Sequence, residues 1–225
     1  MHDSLGVRMK GQYEHRTRYV LPRRTYTIVR VDGKAFHGYT ADLGRPYDAA
    51  FAADMDSVAV ALCEQMQGAE FAYVQSDEIS VLLTDFAKIT TDAWFDGNLQ
   101  KIVSVSAAIA TAELNAVRGH LGKRRAVFDA RVFTIPDPIE VENYFIWRQQ
   151  DATRNSVTMS AQTLYSHREL HGKGSPEMMD MMHAGGVNWN DYPAGFKRGR
   201  CVVYRETGWR VDDEPPVFTQ DREYL

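Results

Sequence analysis

Along this 225-residue chain, apolar runs of strand length take turns with stretches whose apolar positions keep helical spacing. Strand-length runs, β-branched or aromatic and bounded by turn residues, lie at 25–31, 70–75, 79–84, 126–135 and 200–205. Between the first two, Phe51, Met55, Val58, Leu62 and Met66 keep helical spacing and predict a helix over 47–67. Gly68 stops it, because glycine costs about 1 kcal/mol inside a helix and suits the position after one. A second helix is expected over 98–118, with Ile102, Val105, Ile109, Ala112 and Leu114 among its apolar residues. Strand 126–135 closes on Pro136, and Pro138 opens a helix reaching Arg148. Another is expected after Asp151-Ala152-Thr153, continuing through Met159 and Leu164. A third begins at Ser175-Pro176-Glu177, with Ser175 as cap, and ends at Gly185-Gly186. The acidic, proline-containing tail reads as loop with at most a short strand.

Through residue 137 this order is β-α-β-β-α-β, the ferredoxin-like split arrangement of an α+β fold. Residues 138–225 read as a mainly helical elaboration plus a terminal strand, packed as one unit with the first region. In the split arrangement the first and third strands are central neighbours. The turn after strand 25–31, Asp32-Gly33-Lys34, then meets the hairpin turn Ser76-Asp77-Glu78 at one sheet edge. Either acidic turn alone is commonplace, since turns favour Asp and Gly for backbone reasons. Together, Asp32 and Asp77 beside Gly33 form a hard-oxygen set that could hold magnesium against a triphosphate.

Composition changes this picture little. Hydrophobic residues make up 44% and charged residues 25%, ordinary values for a globular protein. No apolar run approaches the ~18 residues of a membrane span, and the N-terminus lacks a signal-peptide core. Cys63 and Cys201 are far apart and outside metal-ligand spacing, so a reduced, cytoplasmic setting is expected, with no membrane partner. The net charge of −4 gives no global support for nucleic-acid binding, but the charge is uneven. Arg8, Lys10, Arg16, Arg18, Arg23, Arg24, Arg30 and Lys34 crowd the first 35 residues, and Arg118, Lys123, Arg124, Arg125 and Arg131 form a second block. Such blocks can track phosphates, or be solvated faces that happen to be basic.

Three further runs carry polar chemistry. In Gly33-Lys34-Ala35-Phe36-His37 a small-residue turn lets backbone N–H groups approach phosphate, with Lys34 as a mobile cation; Phe36 suits the core as well as a base platform. Trp147-Arg148-Gln149-Gln150-Asp151-Ala152-Thr153-Arg154-Asn155-Ser156 suits a polar ligand, or a plain turn between helices. His171-Gly172-Lys173-Gly174, Asn188-Trp189-Asn190 and Lys197-Arg198-Gly199 mix cations, amides and aromatics compatible with RNA, or with surface loops. His15, His120, His167 and His183 pair with nothing that favours a metal and read as structural or surface residues.

Three of these segments resemble the tRNA-His guanylyltransferases and their guanylyltransferase-like relatives: Arg30 to His37, Gln75-Ser76-Asp77-Glu78 and Trp147 to Asp151. Asn188-Trp189-Asn190 and Lys197-Arg198-Gly199 fit more loosely. The resemblance runs from Asp3 to Tyr204 and implies a polymerase-palm fold whose catalytic region is residues 1–137. It implies that Asp32 and Asp77, with the Gly33 carbonyl, bind two magnesium ions and that Glu78 supports them. It also implies that residues 32–37 (Asp32, Gly33, Lys34, Ala35, Phe36, His37), Ser76 and Asp77 line the triphosphate, with Arg45 near phosphate. Arg24, Arg148, Arg154, Asn155, Lys173, Asn190, Lys197 and Arg198 are the candidate RNA contacts. The implied partners are tRNA, GTP and ATP, with ATP activating a 5′-monophosphate that the 3′-hydroxyl of an incoming nucleotide, usually GTP, then attacks. The implied assembly is a homotetramer.

The chain departs from the tRNA-His enzymes at one place. They carry a His-Ile-Asn-Asn-type run after the Trp-Arg-Gln segment, where this chain has Thr153-Arg154-Asn155-Ser156. That is similar to the relatives that repair 5′-truncated tRNAs by templated addition. The other expectations are guanylation of tRNA-His proper, a palm-fold nucleotide cyclase needing no RNA surface, and an RNA-binding protein without catalysis.

Overall fold

The computed structural model describes residues 4–119 and 124–225; Lys123 and His120 lie outside them. Helix α1 (Leu5–Gln12) precedes strand β1 (Tyr26–Gly33). A short α2 (Phe36–Tyr39) and the long α3 (Ala49–Gln65) lead to hairpin strands β2 (Ala69–Gln75) and β3 (Glu78–Leu83). Helix α4 (Leu99–Arg118) returns the chain to β4 (Phe128–Ile135). Helices α5 (Pro138–Ala161), α6 (His167–Leu170), α7 (Ser175–Ala184) and α8 (Ala194–Arg198) follow, then strands β5 (Arg200–Arg205) and β6 (Gly208–Asp212).

The six strands form one sheet in the order β4-β1-β3-β2-β5-β6, and every neighbouring pair is antiparallel. Strands β1 and β3 are neighbours near the centre, as the split arrangement requires. Alternation along each strand sends Val29, Val31, Ile79, Val81 and Val74 to one face, where α3 and α4 cover them. Ile28, Phe71, Tyr73 and Leu82 point to the other, under Val141, Tyr144 and Phe145 of α5. On α4 the buried stripe is Ile102, Ser106, Ala110, Leu114 and Arg118; Val105 and Ile109 pack at its margin and Ala112 is exposed.

The helical region differs most from expectation. No break separates Arg148 from Thr153: α5 is one 24-residue helix, capped by the Asp137 carboxylate on the Ile139 and Glu140 N–H groups. Its polar middle stays helical because tertiary partners satisfy it. The Gln149 amide donates to the Pro216 carbonyl (2.9 Å) and accepts from the Phe218 N–H (2.8 Å), clasping the C-terminal segment as a backbone strand would. Phe218 is thereby fully buried between Tyr73 and Tyr224. At α7 the cap is Gly174, not Ser175, and the Glu177 carboxylate accepts from the Gly174 N–H. Arg118 leaves the second basic block altogether: it is buried over the Phe51 ring and paired with Asp54.

Candidate active site

Strand register builds the site. Glu78 of β3, Asp32 of β1 and Asp129 of β4 lie directly opposite one another, so three carboxylates form a row on the α5 side of the sheet. Two residues along, on the same face, Ser80, Arg30 and Arg131 form the next row. Like charges opposite one another repel, and the arginine row with Arg148 from α5 offsets that repulsion. The Arg131 guanidinium comes within 4.0 Å of the Asp32 carboxylate, and Arg30 within 3.9 Å of Glu78.

The two acidic turns meet here. The Gly33 N–H donates to the Asp77 carbonyl (3.2 Å). A Cβ on Gly33 would fall 2.4 Å from the Phe36 ring and 2.7 Å from Asp77 Oδ2, so a side chain there would push Phe36 or the Asp77 carboxylate aside. Ser76 takes the left-handed conformation (φ 49°) in the turn that carries Asp77. Burial pushes the Asp77 carboxyl up to about 6; the Asp32 charge adds to this, while hydrogen bonds from its own backbone and Ser76 oppose it. Two carboxylates, one of them reluctant to ionise, are a hard-oxygen set suited to a divalent cation.

Glu78 has a different employment. Arg148 grips it with two parallel bonds, Nε to Oε1 (2.8 Å) and Nη2 to Oε2 (2.9 Å), and Gln75 donates to Oε1 as well (3.1 Å). Arg148 also donates to Asp151 (3.0 Å), which accepts from the exposed Arg154 (2.5 Å). Arg148, expected among the RNA contacts, is instead buried and committed to carboxylates. Phe36 resolves to core, packed against Tyr39, Phe51 and Phe128. Lys34, Ala35, His37, Arg45 and Ser76 are exposed around the turns. Arg24, Arg154, Asn155, Lys173 and Asn190 are exposed too, whereas Lys197 donates to the Asn190 carbonyl and Arg198 to the Pro215 carbonyl, each half-buried.

A cleft opens between the carboxylates and α5, lined by Asp32, Asp77, Arg148, Asp151, Asn155 and Met159. It adjoins an apolar recess of Pro46, Tyr47, Phe51, Ala152, Met159 and Phe196; Gln75, Ser76 and Asn155 border both. Asp129 and the recess were not foreseen from sequence, and Asp151 was singled out only as part of the polar run. The spacing Asp129-x-Arg131, mirroring Arg30-x-Asp32, is the signal that antiparallel pairing converts into the two rows.

The sequence model described as tRNAHis guanylyltransferase (Thg1) matches residues 7–136, more than half of the chain. The chain belongs to this family. A tRNA(His) guanylyltransferase of Debaryomyces hansenii is 30% identical over 94% of this chain and 84% of its own length. A bacterial tRNA(His) guanylyltransferase-like protein solved in complex with ATP is 44% identical, with a TM-score of 0.93 over 99% of this chain and 97% of that one. The corresponding complex with GTP gives 43% and 0.87. The Saccharomyces cerevisiae tRNA(His) guanylyltransferase, at 22% identity and a TM-score of 0.77, shares the fold. Members of the Thg1 family are nucleotidyltransferases with a palm-like fold, and the chain is an enzyme of that class. Among the described residues no helix is long and apolar enough to cross a membrane.

Proposed function

We propose that this guanylyltransferase-family enzyme is a magnesium-dependent 3′–5′ polymerase. It adds nucleotides, GTP favoured, to 5′-truncated tRNA by templated repair, with ATP activating the 5′-monophosphate. The observation that carries this reading is that Asp32 and Asp77, on turns joined by the Gly33 N–H, line one cleft with an apolar recess on one side. Asp32, Asp77 and the Gly33 carbonyl would hold the magnesium ions, which supply charge neutralisation of the triphosphate and activation of the attacking hydroxyl.

The chain's own residues do the rest. The recess between Tyr47, Phe51 and Phe196 excludes water and takes the purine of the bound triphosphate. Ser76 sits at the neck between recess and carboxylates, and Lys34 and His37 are free to meet the phosphates. Arg148 occupies both carboxylate oxygens of Glu78 at the wall of the cleft, so that Glu78 braces the turn carrying Asp77. A proton on Asp77 competes with a cation for the carboxylate, so cation affinity falls as pH drops through about 6. Repair rather than strict tRNA-His guanylation is supported by Thr153 in place of the family histidine and by greater identity to the guanylyltransferase-like protein. The active form is a homotetramer in the cytoplasm.

Incubation with magnesium, GTP, ATP and a 5′-truncated, 5′-monophosphorylated tRNA tests the reading, with Asp32→Ala and Asp77→Ala beside the wild type. Extension requiring both carboxylates is expected. No extension, or extension indifferent to either change, overturns it. Addition confined to tRNA-His would replace repair by guanylation proper.

A further inference from the structure

Within the Trp147–Asp151 run, Arg148 grips Glu78, Gln149 clasps the tail and Asp151 bridges two arginines. Trp147 has no such duty. It is 47% exposed, yet its ring is not adrift. The Arg148 guanidinium lies 4.5 Å from the ring centroid, and Tyr144 meets the ring edge-on at 5.9 Å. Trp147 and Gln149 leave α5 about 200° apart. Gln149 points to the C-terminal segment on the β2–β5 side, so Trp147 faces the β1–β4 side. One turn back, Tyr144 packs edge-on against Phe133 of β4 (5.5 Å). The next β4 residue on that face, moving towards the carboxylates, is Arg131, 58% exposed and beside Asp32.

The carboxylates therefore have a different neighbour on each flank. Towards β2 and β5 lies the apolar recess; towards β4 lie the half-exposed Trp147 indole and the exposed Arg131 guanidinium beside Asp32. A reaction joining two nucleotides across Asp32 and Asp77 needs two such seats. We propose that the exposed flank between α5 and β4 seats the 5′-terminal nucleotide of the RNA, its base stacked on Trp147 and its 5′-phosphate paired with Arg131. This rests on the nucleotidyltransferase reading above for which substrate takes which flank. An indole face accepts any base, as repair of varied ends requires. A guanidinium beside the carboxylates steers the phosphate to the reacting position and is itself held by Asp32 until RNA arrives.

The test uses the full chain and a 5′-monophosphorylated RNA hairpin whose terminal base is 2-aminopurine. Binding to wild type quenches its fluorescence by stacking. Trp147→Ala is expected to lose most of that quench and to raise KM for RNA about tenfold, with KM for GTP unchanged. Trp147→Phe restores both. Wild type binds the 5′-phosphorylated hairpin about tenfold more tightly than its 5′-hydroxyl counterpart, and Arg131→Gln brings that ratio near one. Quench and RNA KM unaltered in Trp147→Ala overturn the proposal. So does a fall in kcat alone, which would mean that the indole only braces Arg148. A wild type that extends RNA without quenching sinks this seat and not the activity. One that quenches but extends no RNA sinks the activity and leaves the seat.

Discussion

Replacing Arg148 with methionine removes both bonds that hold Glu78, while keeping most of the side chain's apolar volume. Glu78 is 13% exposed and Arg148 7%, so the pair is largely out of water. Removing one partner of a buried pair costs about 3–5 kcal/mol, most of it the penalty of a stranded charge. Gln75 still donates to Glu78 and Arg30 stays within reach, which argues for the lower end, about 3 kcal/mol. For a chain of this size that lowers Tm by about 6–12 °C. Glu78→Gln is milder, because Arg148 keeps Asp151. The double variant should lose less than the sum of the two, with a coupling of at least about 1.5 kcal/mol in a urea-denaturation cycle. GTP addition should fall in both single variants, since the Asp77 turn loses its brace. Coupling below about 0.5 kcal/mol would refute the clamp, whatever happened to activity.

Three further outcomes follow from the same geometry. Asp77 titrates near 6 in the folded protein against an ordinary 3.8, so its contribution to stability without metal is present below 3.8 and is lost as pH rises through about 6. Magnesium competes with that proton, so apparent affinity by calorimetry should weaken several-fold from pH 7 to pH 5; equal affinity would exclude Asp77 as a titrating ligand. Gly33→Ala forces Phe36 or Asp77 aside, costing about 1–3 kcal/mol and most of the turnover; a fully active alanine variant by single-turnover assay would disprove the close approach. Arg125→Gln, on an exposed residue, should weaken RNA binding and reduce its salt slope by about one, whereas Arg118→Gln should destabilise the fold and leave that slope alone. A salt slope sensitive to Arg118 would place it on the surface.

What could be read in the sequence was whatever depends on neighbours in the chain. Strand-length apolar runs marked β1 to β5, and the element order alone brought Asp32 and Asp77 to one edge. Legibility ended where polar residues find partners far away. The run Arg148 to Arg154 looks like a turn because Asp151 satisfies only part of it from nearby, and the rest is met from far along the chain. Its distant partners are Glu78, 70 positions upstream, and Phe218, 69 downstream of Gln149. The second basic block misled for a related reason: Arg118 ends the buried stripe of α4 and meets Asp54, 64 positions away. Phe36 was ambiguous locally and was decided by Phe128 across the sheet edge.

Consecutive residues of α5 thus face three ways, towards the exposed β4 flank, the acidic turn and the C-terminal segment. Such a helix behaves like a camshaft. Each lobe is correct only if all are, since inserting or deleting one residue turns everything beyond it by about 100°. A shift upstream of Trp147 would withdraw the indole, release Glu78 and unfasten Phe218 together. Point substitutions along α5 should therefore be graded and separable in effect, while a single-codon insertion or deletion there should be lethal to the enzyme.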